Sequence, residues 1–67
     1  MIPVTINGEA RDLPDELTLD ELLQFLKLTE NRVAIEHNRE IVKRDRWTRV
    51  RVAAGDRLEI VHFVGGG

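Results

Sequence analysis

Cysteine is absent from the 67 residues. That excludes a disulfide framework, a thiolate metal site and any protein thiol nucleophile. Long apolar runs are also missing. No stretch approaches the 18 residues a membrane-spanning helix needs, and the N-terminus has no basic start followed by an apolar segment. The expectation is therefore a chain without membrane span or secretory signal, with the cytoplasm as its default compartment. Charge of one sign is lacking too: ten basic and twelve acidic side chains leave a formal net charge of −2, too small to imply a nucleic-acid or membrane partner. The length leaves room for one small domain, which buries only about 60% of the surface its unfolded form exposes.

What is present fits a folded α+β domain: 42% of residues are hydrophobic and 33% charged. The charge is divided unevenly. Residues 1–30 carry two basic and seven acidic side chains, and residues 31–67 carry eight and five. This asymmetry is enough to orient a docking partner.

Ile2, Val4 and Ile6 alternate with Pro3, Thr5 and Asn7, the period of a half-buried strand. Asn7-Gly8 follows, and both residue types tolerate the positive φ of a type I′ turn, so a second strand over Glu9–Leu13 runs back beside the first. Pro14-Asp15 ends it. Thr18 stands three residues before Glu21, the spacing of a capping box. Leu19, Leu22, Leu23 and Leu26 then form one apolar stripe on a helix of about ten residues. Asp20 and Glu21 fall in its first turn and Lys27 in its last, matching the helix dipole.

Val33–Glu36 and Glu40–Val42 read as two short strands around the turn His37-Asn38-Arg39. Lys43–Thr48 reads as a turn or a single helical turn holding Trp47. Val50 and Val52 suggest a short edge strand, and Ala54-Gly55-Asp56 another turn. The last strand is Arg57–Phe63. Leu58 and Ile60 face the core, Arg57 and Glu59 face water, and continued alternation places Val61 and Phe63 on the solvent side. The order predicts one helix packed on one face of a mixed four- or five-stranded sheet, with the first and last strands paired centrally. Residues 1–63 form a single domain, and 64–67 a flexible tail ending Gly65-Gly66-Gly67.

That tail carries most of the chemical information. Residues without side chains can enter a narrow slot and present a terminal carboxylate to a partner's active site, pairing with the slot walls as an added strand. The same residues also read as a frayed terminus. Ordering three glycines costs about 1–2 kcal/mol each, and burying Phe63 and Val61 contributes roughly 1.5–3 kcal/mol apiece, enough to offset it. Phe63 packed on the chain's own core is the rival arrangement. His37 and His62 lack the companions a metal site requires. Lys43, Arg44, Arg46, Arg49 and Arg51 surround Trp47, but one tryptophan is no stacking platform for nucleic acid. The acidic pairs Asp15/Glu16 and Asp20/Glu21 sit at a helix start, where capping accounts for them. No catalytic constellation is present in the sequence.

The Asn7-Gly8 hairpin, the leucine helix, the Val33-Ala34-Ile35 strand, the stretch Arg39–Trp47 and the ending Glu59–Gly67 together resemble the ThiS family. These are the sulfur carriers of thiamine thiazole biosynthesis, with a ubiquitin-like β-grasp fold. The resemblance covers essentially the whole chain. Asn38-Arg39 departs from the family's usual Asn-Gly or Asn-Gln, and Lys43 stands where many members carry proline.

The resemblance implies a carrier that is not itself an enzyme and holds no cofactor or metal. An E1-like adenylating enzyme, ThiF, uses ATP to convert the Gly67 carboxylate into an acyl adenylate. A sulfur-donating enzyme then leaves a Gly67 thiocarboxylate, which thiazole synthase, ThiG, consumes. Val61, Phe63, Val64, Gly65 and Gly66 become the partner-binding residues. The small subunit of molybdopterin synthase shares the fold and a diglycine end, and a ubiquitin-like protein tag is a further alternative. A nucleic-acid module is the reading from a different class, and such a module would keep binding without Gly66 and Gly67.

Overall fold

The computed structural model describes residues 1–28 and 32–63. β1 (Ile2–Ile6) and β2 (Glu9–Leu13) form the hairpin expected from Asn7-Gly8, and both turn residues have positive φ, 51° and 83°. β3 (Val33–His37), β4 (Glu40–Val42) and β5 (Arg57–His62) complete one five-stranded sheet in the order β2-β1-β5-β3-β4. β1 and β5 run parallel, pairing Thr5 with Arg57 and Ile6 with Leu58. The other neighbours are antiparallel. The first and last strands thus lie side by side within the sheet.

α1 (Leu19–Phe25) packs across one face. Its start is the capping box formed by Thr18 and Glu21, with the Glu21 carboxylate accepting the Thr18 backbone N–H at 2.9 Å. The helix is seven residues long, shorter than the stripe suggests, because Leu26 is already the C-cap. Lys27 adopts φ 61°, the Lys27 N–H donates to the Gln24 carbonyl, and the Leu28 N–H reaches the Leu23 carbonyl at 2.7 Å. This paired pattern is a Schellman ending. Lys27 therefore lies past the helix rather than in its last turn. Leu26 still packs against the core from the cap position.

Beneath the helix lie Val4, Ile6, Leu13, Val33, Ile35, Leu58 and Ile60 from the strands and Leu19, Leu22 and Leu23 from α1. Trp47 and Val52 close one end. Arg44–Arg46 form the single helical turn expected there, a 3₁₀ turn, and the Trp47 indole N–H donates to the Val42 carbonyl at 2.9 Å. Val50 and Val52 do not form a strand. The segment makes one bridge, Thr18 with Arg51. Its backbone serves the start of the helix instead: Leu19 N–H donates to the carbonyls of Trp47 and Val50, and Val52 N–H donates to Leu17. Those groups would otherwise be orphaned at a helix N-terminus. The alternation of Val50 and Val52 reflects packing against the core instead: Val52 is fully enclosed and Val50 half-buried.

Two further differences concern strand ends. His37 belongs to β3, so the β3–β4 turn is only Asn38-Arg39, at φ 50° and 74°. β5 stops at His62, although Phe63 N–H still donates to the Arg32 carbonyl at 2.8 Å.

A polar clip fastens the β3–β4 turn to the turn before β5. His37 Nε2 lies 2.7 Å from Asp56 Oδ2, which also accepts the Ala53 N–H at 2.8 Å. Asn38 Nδ2 donates to Asp56 Oδ1, while Asn38 Oδ1 accepts the Arg57 N–H. Burial pushes the Asp56 carboxyl up, but the hydrogen bonds from Ala53, His37 and Asn38 and the charge of His37 outweigh it. The pKa settles below the ordinary value of 3.8.

A depressed carboxyl pKa stabilises the fold above the unfolded value and loses that contribution as pH falls through the folded one. The stability difference between the wild type and Asp56→Asn should therefore shrink below about pH 4, as followed by urea denaturation; a pH-independent difference would show that Asp56 does not titrate with folding. Arg39 holds a left-handed backbone that glycine adopts without steric penalty, at some gain in unfolded-chain entropy. Arg39→Gly should raise stability by about 0.5 kcal/mol, about 2–4 °C in thermal midpoint.

Candidate functional site

The position of β5 decides where any terminal chemistry is presented. It is the third of five strands, held between β1 and β3, so its C-terminal end lies in the middle of the sheet rather than at an edge. Two backbone ladders and the side chain of Asn7 fix it there. Asn7 Oδ1 accepts the Ile60 N–H at 2.7 Å, Asn7 Nδ2 donates to the Ile60 carbonyl at 3.1 Å, and the Asn7 N–H donates to the Leu58 carbonyl. An amide side chain thus extends the parallel pairing by one residue beyond the end of β1.

Within β5, Leu58 and Ile60 point into the core and Glu59 and Val61 point away from the helix. Val61 is 53% exposed and Phe63 57% exposed, so Phe63 is not wrapped onto the chain's own core. Ala34 stands opposite Val61 on β3. These residues form an apolar surface on the sheet face that α1 leaves uncovered, beside the point where the chain continues to its end. Val64, Gly65, Gly66 and Gly67 lie outside the described residues, so the terminal carboxylate has no stated geometry.

His62 points to the other face, opposite Val33, and is exposed. His37 is taken up by Asp56. Among the described residues, no group of three or more His, Cys, Asp or Glu is arranged to hold a metal ion, and no helix is long and apolar enough to cross a membrane. The basic stretch around Trp47 offers no ring for base stacking. Its indole is buried, its N–H is occupied by Val42, and the Arg44 guanidinium sits 5.2 Å from the ring centroid. An open hollow of about 450 Å³ lies beside β4, lined by His37, Glu40, Ile41, Lys43 and Arg46 among others. Its mixed charge favours neither anion nor cation.

Two features of the uncovered face were not singled out from the sequence. Ile41 is 74% exposed on β4, and Glu36 on β3 stands directly opposite Glu59 on β5. The signal for both is the strand register, which pairs Ile41 with Glu36 and Glu36 with Glu59. Local alternation alone does not reveal it.

The family model described as the ThiS family matches residues 4–67. The Bacillus subtilis protein named sulfur carrier protein ThiS is 42% identical over 53 residues, covering 79% of this chain and 80% of that protein. A protein of Paramagnetospirillum magneticum named thiazole synthase is 44% identical over 64 residues, which are 96% of this chain and 20% of the relative. The chain thus spans about a fifth of the length of that relative, and of a second thiazole synthase from Magnetococcus marinus. Among solved structures, the crystal structure of the thiamine biosynthesis protein ThiS from Geobacter metallireducens superposes with a TM-score of 0.86 at 32% identity. It covers 98% of this chain and 100% of that one.

Proposed function

The chain belongs to the ThiS family, and on that premise we propose that it is a sulfur carrier of thiamine biosynthesis that carries the sulfur atom on Gly67. The observation that bears most weight is the family match itself, which extends through the glycine tail to residue 67. The fold supports it physically. A central strand held on both sides delivers the tail, so a pull on the terminus is resisted by the whole sheet rather than by a peeling edge.

The chemistry follows from what a carboxylate cannot do. Its delocalised negative charge repels nucleophiles, so sulfur does not replace oxygen on it directly. Attack of the Gly67 carboxylate on the α-phosphate of ATP releases pyrophosphate and gives an acyl adenylate, a mixed anhydride with AMP as a good leaving group. Hydrosulfide then displaces AMP to leave the thiocarboxylate. A persulfide donor gives instead an acyl disulfide, which a second thiol reduces to the same product. An E1-like adenylating enzyme of the ThiF type supplies the ATP site, and a separate enzyme supplies sulfur. The carrier supplies only a reachable end group and a surface by which it is recognised, which makes it a co-substrate rather than an enzyme. The acceptor is a thiazole synthase of the ThiG type, a link supported by the relatives that carry that name.

Val61 and Phe63, both more than half exposed and next to the tail in sequence, serve as recognition residues on this reading. Together with Val64, Gly65 and Gly66 they form the partner-binding segment. Glycines at the end leave the backbone free to lie in a narrow slot, where side chains would block the approach to a nucleotide.

Intact-mass spectrometry tests the central step. Incubation with an E1-like enzyme, ATP and a sulfur donor should exchange one oxygen for one sulfur on the C-terminal peptide. Oxidation of Met1 adds nearly the same nominal mass, so the change has to be localised. An unchanged terminus, with the same enzyme active on another carrier, would refute the assignment. Phe63→Ala should leave stability within about 0.5 kcal/mol of wild type, since the ring is exposed, while weakening capture by the adenylating enzyme. The opposite pattern would return Phe63 to a packing role.

A further inference from the structure

The parallel ladder between β1 and β5 is short. It pairs Thr5 with Arg57 and Ile6 with Leu58, and there β1 gives way to the Asn7-Gly8 turn. On its other side β5 stays paired with β3 as far as His62, opposite Val33. The Asn7 N–H still donates to the Leu58 carbonyl, so the next backbone groups of β5 that turn towards β1 belong to Ile60. No strand residue remains to meet them. The Asn7 side chain does so instead: its Oδ1 accepts the Ile60 N–H at 2.7 Å and its Nδ2 donates to the Ile60 carbonyl at 3.1 Å. One donor and one acceptor at such distances are what a further strand residue offers.

The turn itself does not require the amide. Asn7 makes the reversal at φ 51°, and Asp-Gly and Gly-Gly make the same type of turn. A carboxylate, however, has no proton to give the Ile60 carbonyl, and glycine reaches neither group. Ile60 is buried, so backbone groups left unpaired there oppose the strand's staying in place. Val61, His62 and Phe63 follow directly.

We propose that Asn7 is a positioning residue for activation of the terminus: its amide holds Ile60–Phe63 in the sheet before the adenylating enzyme arrives. The inference rests on the carrier reading. Ordering backbone at the moment of binding weakens association, and a strand end already in place avoids that loss. Asn7 acts through β5 and not on the reacting carboxylate. Its removal therefore affects capture of the carrier and leaves the rate of the bound complex alone.

The test combines pyrophosphate exchange with an E1-like enzyme, amide hydrogen exchange at Ile60 and urea denaturation. Asn7→Gly keeps the turn and removes the side chain; Asn7→Asp keeps the turn and the size, and removes the donor. Val52→Ala, a truncation at the end of the core that Trp47 closes, controls for lost stability. Both Asn7 variants should raise KM about tenfold with kcat unchanged. In Asn7→Gly the Ile60 amide should exchange at least about tenfold faster than global unfolding allows. Val52→Ala should lower the denaturation midpoint and keep the wild-type KM. The stability deficit of Asn7→Asp should narrow as pH falls, because the protonated carboxyl can donate to Ile60 again; that of Asn7→Gly should not. If Asn7→Gly does not fold, Asn7→Asp decides alone. A wild-type KM in the folded Asn7 variants overturns the proposal, as does an equal rise in Val52→Ala or a loss confined to kcat. A wild type that is not adenylated, by an enzyme active on another carrier, overturns the carrier reading and this inference with it.

Discussion

The parallel contact between β1 and β5 is the constraint on which the remaining architecture depends. It joins residues more than fifty positions apart, and the ladder itself pairs only Thr5 with Arg57 and Ile6 with Leu58. Parallel pairing is slightly weaker per residue than antiparallel pairing, and its closure entropy has to be met before any contact rewards it. Asn7 reinforces this junction. Its backbone makes the hairpin turn at positive φ, while its side-chain amide pairs with both polar groups of Ile60. One residue therefore fixes the β1–β2 reversal and the depth at which β5 lies against β1. With β5 set, the place of β3 and β4, the uncovered face and the exit of the tail follow.

The elements themselves were largely legible. Period-two alternation located β1 and β5, Asn7-Gly8 located the hairpin and with it β2, and Thr18 with Glu21 located the helix start. These signals are local, each written within a few residues. The parts that stayed hidden are those decided at a distance. The alternation of Val50 and Val52 reads as a strand, yet the orphaned N–H groups at the helix start claim that backbone. Leu26 fits the helical stripe, but the chain has already reversed at Lys27. His37 looks like part of a turn until Asp56, nineteen residues away, is brought to its ring.

The same division runs through the recognition surface. Alternation along β5 placed Val61 and Phe63 outward, and their exposure agrees. It could not decide whether Phe63 turns back onto the core, since that depends on whether α1 and its neighbours already fill the helix side of the sheet. They do, with the three buried leucines of α1, Trp47 and Val52 supplying the cover. Nor could a single strand reveal the opposition of Glu36 and Glu59, because cross-strand register is a property of two segments. The glycine tail, by contrast, owes its meaning to composition and to the family resemblance rather than to folded geometry.

Trp47 is the sole tryptophan of a chain without tyrosine. Its indole is enclosed at the end of the core, tied to Val42 and overlaid by Arg44. It is therefore an optical reporter built into the wrong place to watch traffic at the open sheet face and the right place to watch the core come apart. Intrinsic fluorescence of this protein is a gauge of integrity: it changes when the β4 corner loses its packing and stays quiet while the other side of the molecule is occupied and released. Observing docking calls for a label elsewhere, and the absence of native cysteine leaves the whole surface free for one introduced thiol.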